Sequence, residues 1–226
     1  MAILVPVGNS ARSLPAVNKA AQLAAAMSAK LELFHDIADP IAIDALGGPK
    51  VTLRALKANV RRSAIEGLER LAAPLRARGL RVSTAAAWDY PPYEAILRRA
   101  VAIGADMIVA PRRDRHRLPA LLGYTDWELL RLSPVPVLLV KTSTPYHRPT
   151  VLAAIDPTHA HAKPTALDQR ILHYGIEVGR ALRGALHVVH AYIPRPLPPT
   201  VTFDTKHRKS CLADNQRDAR PSSGPR

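Results

Sequence analysis

Two short apolar runs, joined by a loop and a helical segment, constrain the fold of this chain more than any other feature. The runs are Met107–Ala110 and Val137–Val140, and turn residues bound each of them, as is typical of buried parallel strands. Between them lie an arginine-rich loop, Gly123 and the amphipathic segment Thr125–Leu132. A strand, a loop, a helix and a second strand make a βαβ unit, and ligands of open α/β sheets bind at the loops that leave the strand C-termini. The arginine-rich loop is therefore the first place where we look for function.

The rest of the first 142 residues repeats this alternation of strand and helix patterns. We predict strands over Ala2–Val7, Lys30–His35, Arg81–Trp88, Asp106–Pro111 and Val135–Lys141. We predict helices that start from the N-cap Ser13 and that span Val51–Arg78, Pro92–Ile103 and Thr125–Leu132. Alternating elements of this length indicate a mostly parallel five-stranded sheet with helices on both faces.

Proline and glycine set the expected helix ends. Pro15 lies in the first turn that the Ser13 cap would open, where proline is well tolerated. Pro74 is expected to bend the long second helix or to end it early. Gly79 is expected to cap the same helix at its C-terminus.

After the first domain, the strand–helix–strand pattern of its start occurs a second time. A strand pattern at Val151–Asp156, a helix pattern at Leu167–Arg183 and a strand pattern at Ala185–Tyr192 repeat the start of the first domain. The sequence from Met27 to His35 is echoed from Leu182 to His190. We predict a first domain over residues 1–142, a partial second copy over 150–193, and a Pro-rich, then disordered and basic segment over 194–226. Either a truncated or frameshifted gene or a genuine short tail would produce that last segment.

Composition narrows the class of protein. Of 226 residues 47% are hydrophobic and one is cysteine, Cys211, which excludes an internal disulfide framework and fits a reducing compartment. No signal peptide and no apolar run long enough to span a bilayer are evident, so we expect a cytoplasmic protein without a membrane partner. The net charge of +14 suggests nucleic acid, an anionic ligand or an acidic partner. The alternative, which we prefer, is that an arginine-rich source proteome uses arginine on solvated helix faces. The arginines are not interleaved with aromatic residues, however, so no nucleic-acid module is indicated.

Five segments resemble the universal stress protein family, and specifically its tandem-domain cytoplasmic members. They are Ile3–Val7, the Ala-rich first helix, Gly104–Val109, Thr125–Leu130 and Ser133–Lys141. The resemblance implies a flavodoxin-like or Rossmann-like α/β fold and a role in the stress response. It also implies pairing through the fifth strand, because members of the family pair that strand across a dimer or between tandem copies.

The same resemblance implies where a nucleotide would bind. Members that bind ATP carry a G-x-x-G-x9-G-[S/T] loop after the fourth strand and an Asp that ends the first strand. With Gly123 as the third glycine, the other loop positions fall on Ala110, Arg113 and Tyr124, and Gly8 takes the Asp position. In the partial second copy Asp156 does fit the Asp position. We therefore expect no cofactor and no ATP binding through the family's loop.

The arginine-rich loop leaves two interpretations open. Arg112, Arg113 and Arg115, with Gly123 and Tyr124, would form an anion site in which guanidinium groups replace backbone N–H groups. Alternatively the loop is a solvated basic surface partly neutralised by Asp114, which is the interpretation we prefer.

Other chemistry finds less support in the sequence. Trp127 is expected to pack in the core rather than to stack on a base. His159 and His161, with His173, His187 and His190, lack the converging carboxylate or Cys partners of a metal site, so no metal is predicted.

Asp89 and Glu94 fit a turn and a helix N-terminus. No nucleophile motif is present, so we predict no catalytic residue.

The fifth strand carries a prediction of its own. Val135, Val137, Leu138, Leu139 and Val140 would form an apolar strand at the edge of the sheet, and such an edge recruits a partner. We predict a homodimer through this strand. The preferred hypothesis is a non-enzymatic stress-response protein that acts through an unidentified protein partner or through dimerisation. The alternatives are an adenine-nucleotide or other anionic-ligand sensor that uses the arginine-rich loop, and a nucleotide hydrolase.

Overall fold

The structure, a computed structural model, describes residues 1–8, 10–37, 50–112, 125–157, 164 and 166–191. The strands are β1 Ala2–Pro6, β2 Lys30–Ile37, β3 Val82–Trp88, β4 Met107–Pro111, β5 Val137–Val140, β6 Thr150–Ala154 and β7 Ala185–Val189. The helices are α1 Ser10–Ala26, α2 Lys50–Ala77, α3 Pro92–Ala102, α4 Thr125–Leu132 and α5 Ala166–Ala181. None of the described helices is both long enough and apolar enough to cross a membrane.

The first five strands form one parallel sheet in the order β3-β2-β1-β4-β5. Neighbouring residues of β1 point to opposite faces, so Val5 packs under α1 and α2 whereas Leu4 packs under α3 and α4. Both side chains are fully buried, and each such burial contributes about 1.5–3 kcal/mol. The predicted five-stranded sheet with helices on both faces is confirmed.

The expected start of α1 was wrong. Helix α1 begins at Ser10, so Ser13 is a buried residue inside the helix and Pro15 lies further along it. Helix α2 spans Lys50–Ala77, close to the predicted Val51–Arg78, and it continues through Pro74 because Ala72 and Leu75 on either side of the proline are held in the core. The expectation that Pro74 ends this helix early was therefore wrong, and the alternative that it bends the helix stays a prediction. The predicted cap at Gly79 is confirmed, since this residue has a positive φ of 84° and its N–H donates to Arg76 O.

Strands β6 and β7 form a separate parallel pair joined by α5, and this pair reproduces the β1–α1–β2 unit in register. Ile3 pairs with Leu31, and Val151 pairs with Leu186. The hydrogen bond from Val7 N to Phe34 O has its counterpart from Ile155 N to Val189 O. The turn before the second strand places Ser28 and Arg183 alike at positive φ, 51° and 53°.

A clasp ties the segment after β5 to α1. The side-chain amide of Gln22 donates to Tyr146 O and its oxygen accepts from Tyr146 N, at 2.5 and 2.8 Å. The buried Lys19 places its Nζ 4.1 Å from the centre of the Tyr146 ring and 3.4 Å from Thr142 Oγ1. Burial raises the pKa of the Tyr146 hydroxyl.

The chain divides into one unit at Met1–Val189 and another at His190–Arg226. Of the second unit the structure describes residues 190 and 191. The predicted disordered segment at 194–226 lies outside the described residues.

Candidate functional site

The sheet order fixes where a ligand site would lie. From β1 the chain turns to β2 on one side, and from β4 it turns to β5 on the other, so the two connections diverge between β1 and β4. In open α/β sheets this divergence opens a crevice at the carboxyl ends of the strands. Gly8 leaves β1 at this crevice and Arg112 leaves β4.

The described residues at the crevice offer few polar side chains. His35, near the end of β2, makes a short hydrogen bond through Nδ1 with Val7 O, so its ring spans the ends of β1 and β2. Arg112 is exposed, and its N–H donates to Val140 O at 2.9 Å, which continues the β4–β5 ladder. Sequence reasoning missed His35; its position at the end of the second strand was the available signal.

The sequence-predicted loop site is only partly described. Arg112 lies where it was expected, after β4 and exposed to solvent. Arg113, Arg115, Gly123 and Tyr124 lie outside the described residues.

Gly8 and Asp156 occupy equivalent positions in the two βαβ units. The matching registers of β1 with β2 and of β6 with β7 place Gly8 where the second unit has Asp156. Asp156 is half-buried and its N–H donates to Asp168 Oδ1 at 3.2 Å, so the start of α5 is tied to the end of β6. A Cβ added to Gly8 would meet no atom of the described residues within 4 Å. The part of the chain that the structure describes therefore leaves room for a side chain at the position where the second unit has Asp156.

The edge formed by β3 is covered by side chains of α2. Leu31 N donates to Arg81 O, so the carbonyl groups of Val82 and Ala86 point away from β2 to the outside of the sheet. Arg76 Nε donates to Val82 O at 2.8 Å, and Arg61 Nε donates to Ala86 O at 3.1 Å. We call Arg61 and Arg76 the edge guards.

Further contacts fix the guards on the β3 edge. Arg76 also binds Glu69 through both terminal nitrogens, and Glu69 accepts from Thr84 Oγ1 at 2.6 Å. The hydrogen bonds from Arg76 and then from Thr84 lower the pKa of Glu69 from 4.5 to about 2. At the end of the strand Trp88 Nε1 donates to Lys57 O.

A cleft of about 500 Å³ lies beside the same edge, and three arginines line it. Arg98 is bound by Asp89 and Glu94 at 2.6 and 2.8 Å, and Arg99 is bound twice by the buried Glu32. Two of the three charges are therefore already compensated, and the third belongs to the edge guard Arg61. Such a lining provides no concentrated positive charge for an anion. The contacts with Arg98 also account for the acidic pair Asp89 and Glu94 without a catalytic role.

The edge formed by β5 lacks such a cover among the described residues. Ile108 N donates to Pro136 O and Arg112 N to Val140 O, so the backbone groups of Val137 and Leu139 point away from β4. No described residue donates to or accepts from these outward groups. Val135, Val137, Leu138 and Leu139 are half-buried and Val140 is buried. The predicted edge position of β5 is confirmed within the five-stranded sheet.

Three other expectations can be compared with the structure. Trp127 was expected in the core, and this was wrong: it is 55% exposed, because Thr125 and Leu129 are the residues of α4 that face the sheet. No group of three or more metal-binding side chains occurs among the described residues. His173 pairs with Glu177 on the same helix, His187 is exposed on β7, and His159 and His161 lie outside the described residues.

Comparison with known proteins gives a consistent set of relatives. The model of the universal stress protein family matches residues 1–141. Universal stress protein E homolog of Haemophilus influenzae is 29% identical over 112 residues, which are 49% of this chain and 36% of that protein. Universal stress protein E of Escherichia coli K12 is 27% identical over 121 residues, 53% of this chain and 38% of that protein. The chain thus aligns with less than two fifths of the length of either relative.

A solved structure extends the similarity beyond the first five strands. It comes from Pseudomonas aeruginosa UCBPP-PA14 and was assigned to the universal stress proteins. Its TM-score is 0.61 at 25% identity, and the match covers 98% of this chain and 71% of that one.

Proposed function

Because the chain belongs to the universal stress protein family, we propose that it is a non-enzymatic stress-response protein that acts in the cytoplasm through protein contacts. The observation that carries the proposal is the difference between the two edges of its sheet. One edge is covered by the guards Arg61 and Arg76, and β5 at the other edge presents the outward backbone groups of Val137 and Leu139. An uncovered apolar edge favours pairing with another strand.

We propose that the first partner is a second copy of this chain, which pairs through β5. Val135, Val137, Leu138, Leu139 and Val140 would supply the strand, and antiparallel pairing would satisfy the outward N–H and C=O groups of each copy with those of the other. Further protein partners would then bind the dimer.

Sedimentation velocity of the full chain over a wide concentration range tests this pairing. A reversible monomer–dimer equilibrium is the expected result. A stable monomer at the highest concentrations would contradict the proposal.

The proposal includes the absence of ATP binding through the family's loop. The first crevice has Gly8 where the ATP-binding members have a carboxylate. Arg113 and Tyr124 stand at positions where those members have a glycine and a small hydroxyl residue. A side chain at a glycine position keeps the backbone N–H groups from approaching a phosphate.

Thermal unfolding of the full chain with and without millimolar ATP tests this point. A ligand present at about 100 times its Kd stabilises the native state by about 2.7 kcal/mol, which a melting curve readily detects. We expect no shift with ATP, AMP or inorganic phosphate. The Gly8→Asp variant should fold normally, because a Cβ meets open space there, and should still show no shift with ATP because the loop also departs from the pattern.

A second candidate function keeps the arginine-rich loop as an anion sensor. The exposed side chain of Arg112 at the crevice favours it, since guanidinium groups bind phosphate in bidentate fashion. In that case phosphate or ATP would raise the melting temperature, and Arg113→Ala would abolish the shift. Turnover of ATP would point instead to the hydrolase hypothesis.

A further inference from the structure

The outer side of α4 carries two large apolar residues that the core does not use. Thr125 and Leu129 face the sheet, and both are buried. Glu128 lies on the side of α3, close enough to Tyr93 to contribute to the rise of its pKa, which partial burial chiefly causes. Trp127, Leu130 and Leu132 remain, and they are 55%, 51% and 47% exposed. At 3.6 residues per turn Leu132 lies on the same side as Glu128, so Trp127 and Leu130 are the two on the outer side.

The position of α4 makes this exposure informative. The helix connects β4 with β5 and packs on the partly buried Val135, Val137 and Leu139, so it flanks the uncovered edge of the sheet. With 3.6 residues per turn, Leu130 lies about 100° beyond Leu129 and turns away from the side on which Glu128 meets α3. Leu130 therefore lies on the flank of α4 nearest the β5 edge, and Trp127 lies one turn before it.

We propose that Trp127 and Leu130 are the helical half of an interface with a second copy of this chain, in which α4 packs against α4 of the other copy. This rests on the pairing of β5 put forward above. Antiparallel strands in one sheet lie about 4.8 Å apart. A twofold axis between them keeps both α4 helices on the same face of the joined sheet and brings them to roughly the 8–10 Å at which helices pack.

The charges of α4 fit this arrangement. Asp126 lies in its first turn and Arg131 in its last turn. Arg131 also pairs with Glu128 of the same helix at 3.2 Å, and Glu128 itself lies on the side of α3. The twofold axis makes the two helices antiparallel, so the acidic start of one helix lies toward the basic end of the other. The same surface is therefore complementary to itself, which a twofold interface requires.

Trp127 would provide the main anchor of the helical half. Tryptophan is enriched among the residues that dominate protein interfaces, because one side chain removes a large apolar area from water. Here the exposed Trp127 lies beside the exposed Leu130, and both flank the β5 edge of the sheet. Its burial would occur together with the pairing of β5.

The test uses the full chain and its two tryptophans, Trp88 and Trp127. In a Trp88→Phe background Trp127 is the only tryptophan, so its emission reports its environment directly. We expect a blue shift as concentration rises, along the same curve as dimer formation in sedimentation. Emission that stays red-shifted while the chain dimerises would overturn the inference and leave the proposed pairing intact.

A pair of matched variants gives a second measurement. Trp127→Glu should raise the dimer dissociation constant at least about 30-fold, as loss of a dominant interface residue does. Val101→Glu introduces the same charge at a residue of α3 that is 69% exposed, and should leave the constant unchanged. Equal constants for the two variants and the wild type would overturn the inference, whereas a wild type that never dimerises would overturn the proposed pairing as well. Circular dichroism of each variant shows whether it folds, and Leu130→Ala, with a smaller expected rise, replaces Trp127→Glu if that variant does not.

Discussion

The two edges of the five-stranded sheet are built in opposite ways. At the β3 edge Arg61 and Arg76 reach from α2 and donate to the outward carbonyl groups of Ala86 and Val82. At the β5 edge no described side chain meets the outward groups of Val137 and Leu139. Free strand edges are a liability that proteins normally cover or charge.

The difference between the two edges would determine on which side the sheet pairs with another chain. A sheet with two uncovered edges can add strands on both sides and grow without limit, whereas a sheet with one uncovered edge stops at a closed pair. Here α2 covers one side with Arg61 and Arg76, and Glu69 already pairs with Arg76. Under the proposed pairing through β5, α2 would limit where the sheet can associate as well as covering its face.

The largest effect is expected from a proline in the uncovered edge. Leu139→Pro removes an N–H that points away from β4, so the ladder within the chain remains and the pairing between chains is blocked. We expect the dimer dissociation constant to rise about 100-fold, equivalent to roughly 3 kcal/mol. Sedimentation velocity measures it. The matched change at the guarded edge, Thr84→Pro, should leave the constant unchanged; a similar loss there would remove the contrast between the edges.

Removal of both edge guards should have an intermediate effect. Arg61→Ala with Arg76→Ala leaves two strand carbonyls without their donors, and we expect the free energy of unfolding to fall by about 2 kcal/mol, because both groups are partly exposed. Light scattering should also show species larger than a dimer. A double variant at two exposed arginines of the same helix, Arg62→Ala with Arg70→Ala, is the control and should do neither. Normal assembly without the guards would show that they do not protect the edge.

The smallest effect is a dependence of stability on pH at the guarded edge. The bonds from Arg76 and Thr84 lower the pKa of Glu69 from 4.5 to about 2 in the folded state. A carboxyl whose folded pKa is depressed stabilises the protein above its unfolded pKa, and that contribution is lost as pH falls from about 4.5 to about 2. Because Glu69 is 43% exposed, we expect about 1 kcal/mol after screening by solvent. Urea midpoints at pH 6 and pH 2.5 measure it, and Glu69→Gln should lack this part of the change; an unchanged pH profile in Glu69→Gln would mean that the contact contributes nothing.

The five-stranded sheet could be predicted from the sequence because buried parallel strands appear there as short apolar runs. Val109 and Leu33 lie in such runs and are fully buried. The positive φ of Gly79 followed from its place after the apolar stripe of α2. The side of α4 that faces the sheet could not be predicted from the sequence, because this short helix carries apolar residues around most of its circumference. Trp127 was therefore assigned to the core.

The edge guards were beyond sequence reasoning for a different reason. Arg61 and Arg76 lie off the apolar stripe of α2, and from sequence they resemble any solvated arginine. Their partners are backbone carbonyls of β3, which carry no sequence signal, and only the crossing of α2 over that strand brings them into reach. Prediction of the crevice residues from the sequence has the same limit. The position of Gly8 at the end of β1 could be predicted, whereas the role of His35 depends on its contact with Val7 O, which joins the ends of two strands.

The contacts that hold Tyr146 on α1 shorten the free connection between the five-stranded sheet and the unit of β6, α5 and β7. Between the end of β5 and the start of β6 the chain is anchored to α1 by Gln22 and Lys19, so only His147, Arg148 and Pro149 separate the anchor from β6. A tether this short keeps the βαβ unit of β6, α5 and β7 at a high effective concentration beside α1, whose core Val178 and Leu182 help to cover. A proteinase that cuts at Ser143 or Thr144 would remove the covalent link and with it this effective concentration, so that the two pieces would be held by noncovalent contacts such as those of Tyr146, Val178 and Leu182 and should separate when diluted on a sizing column.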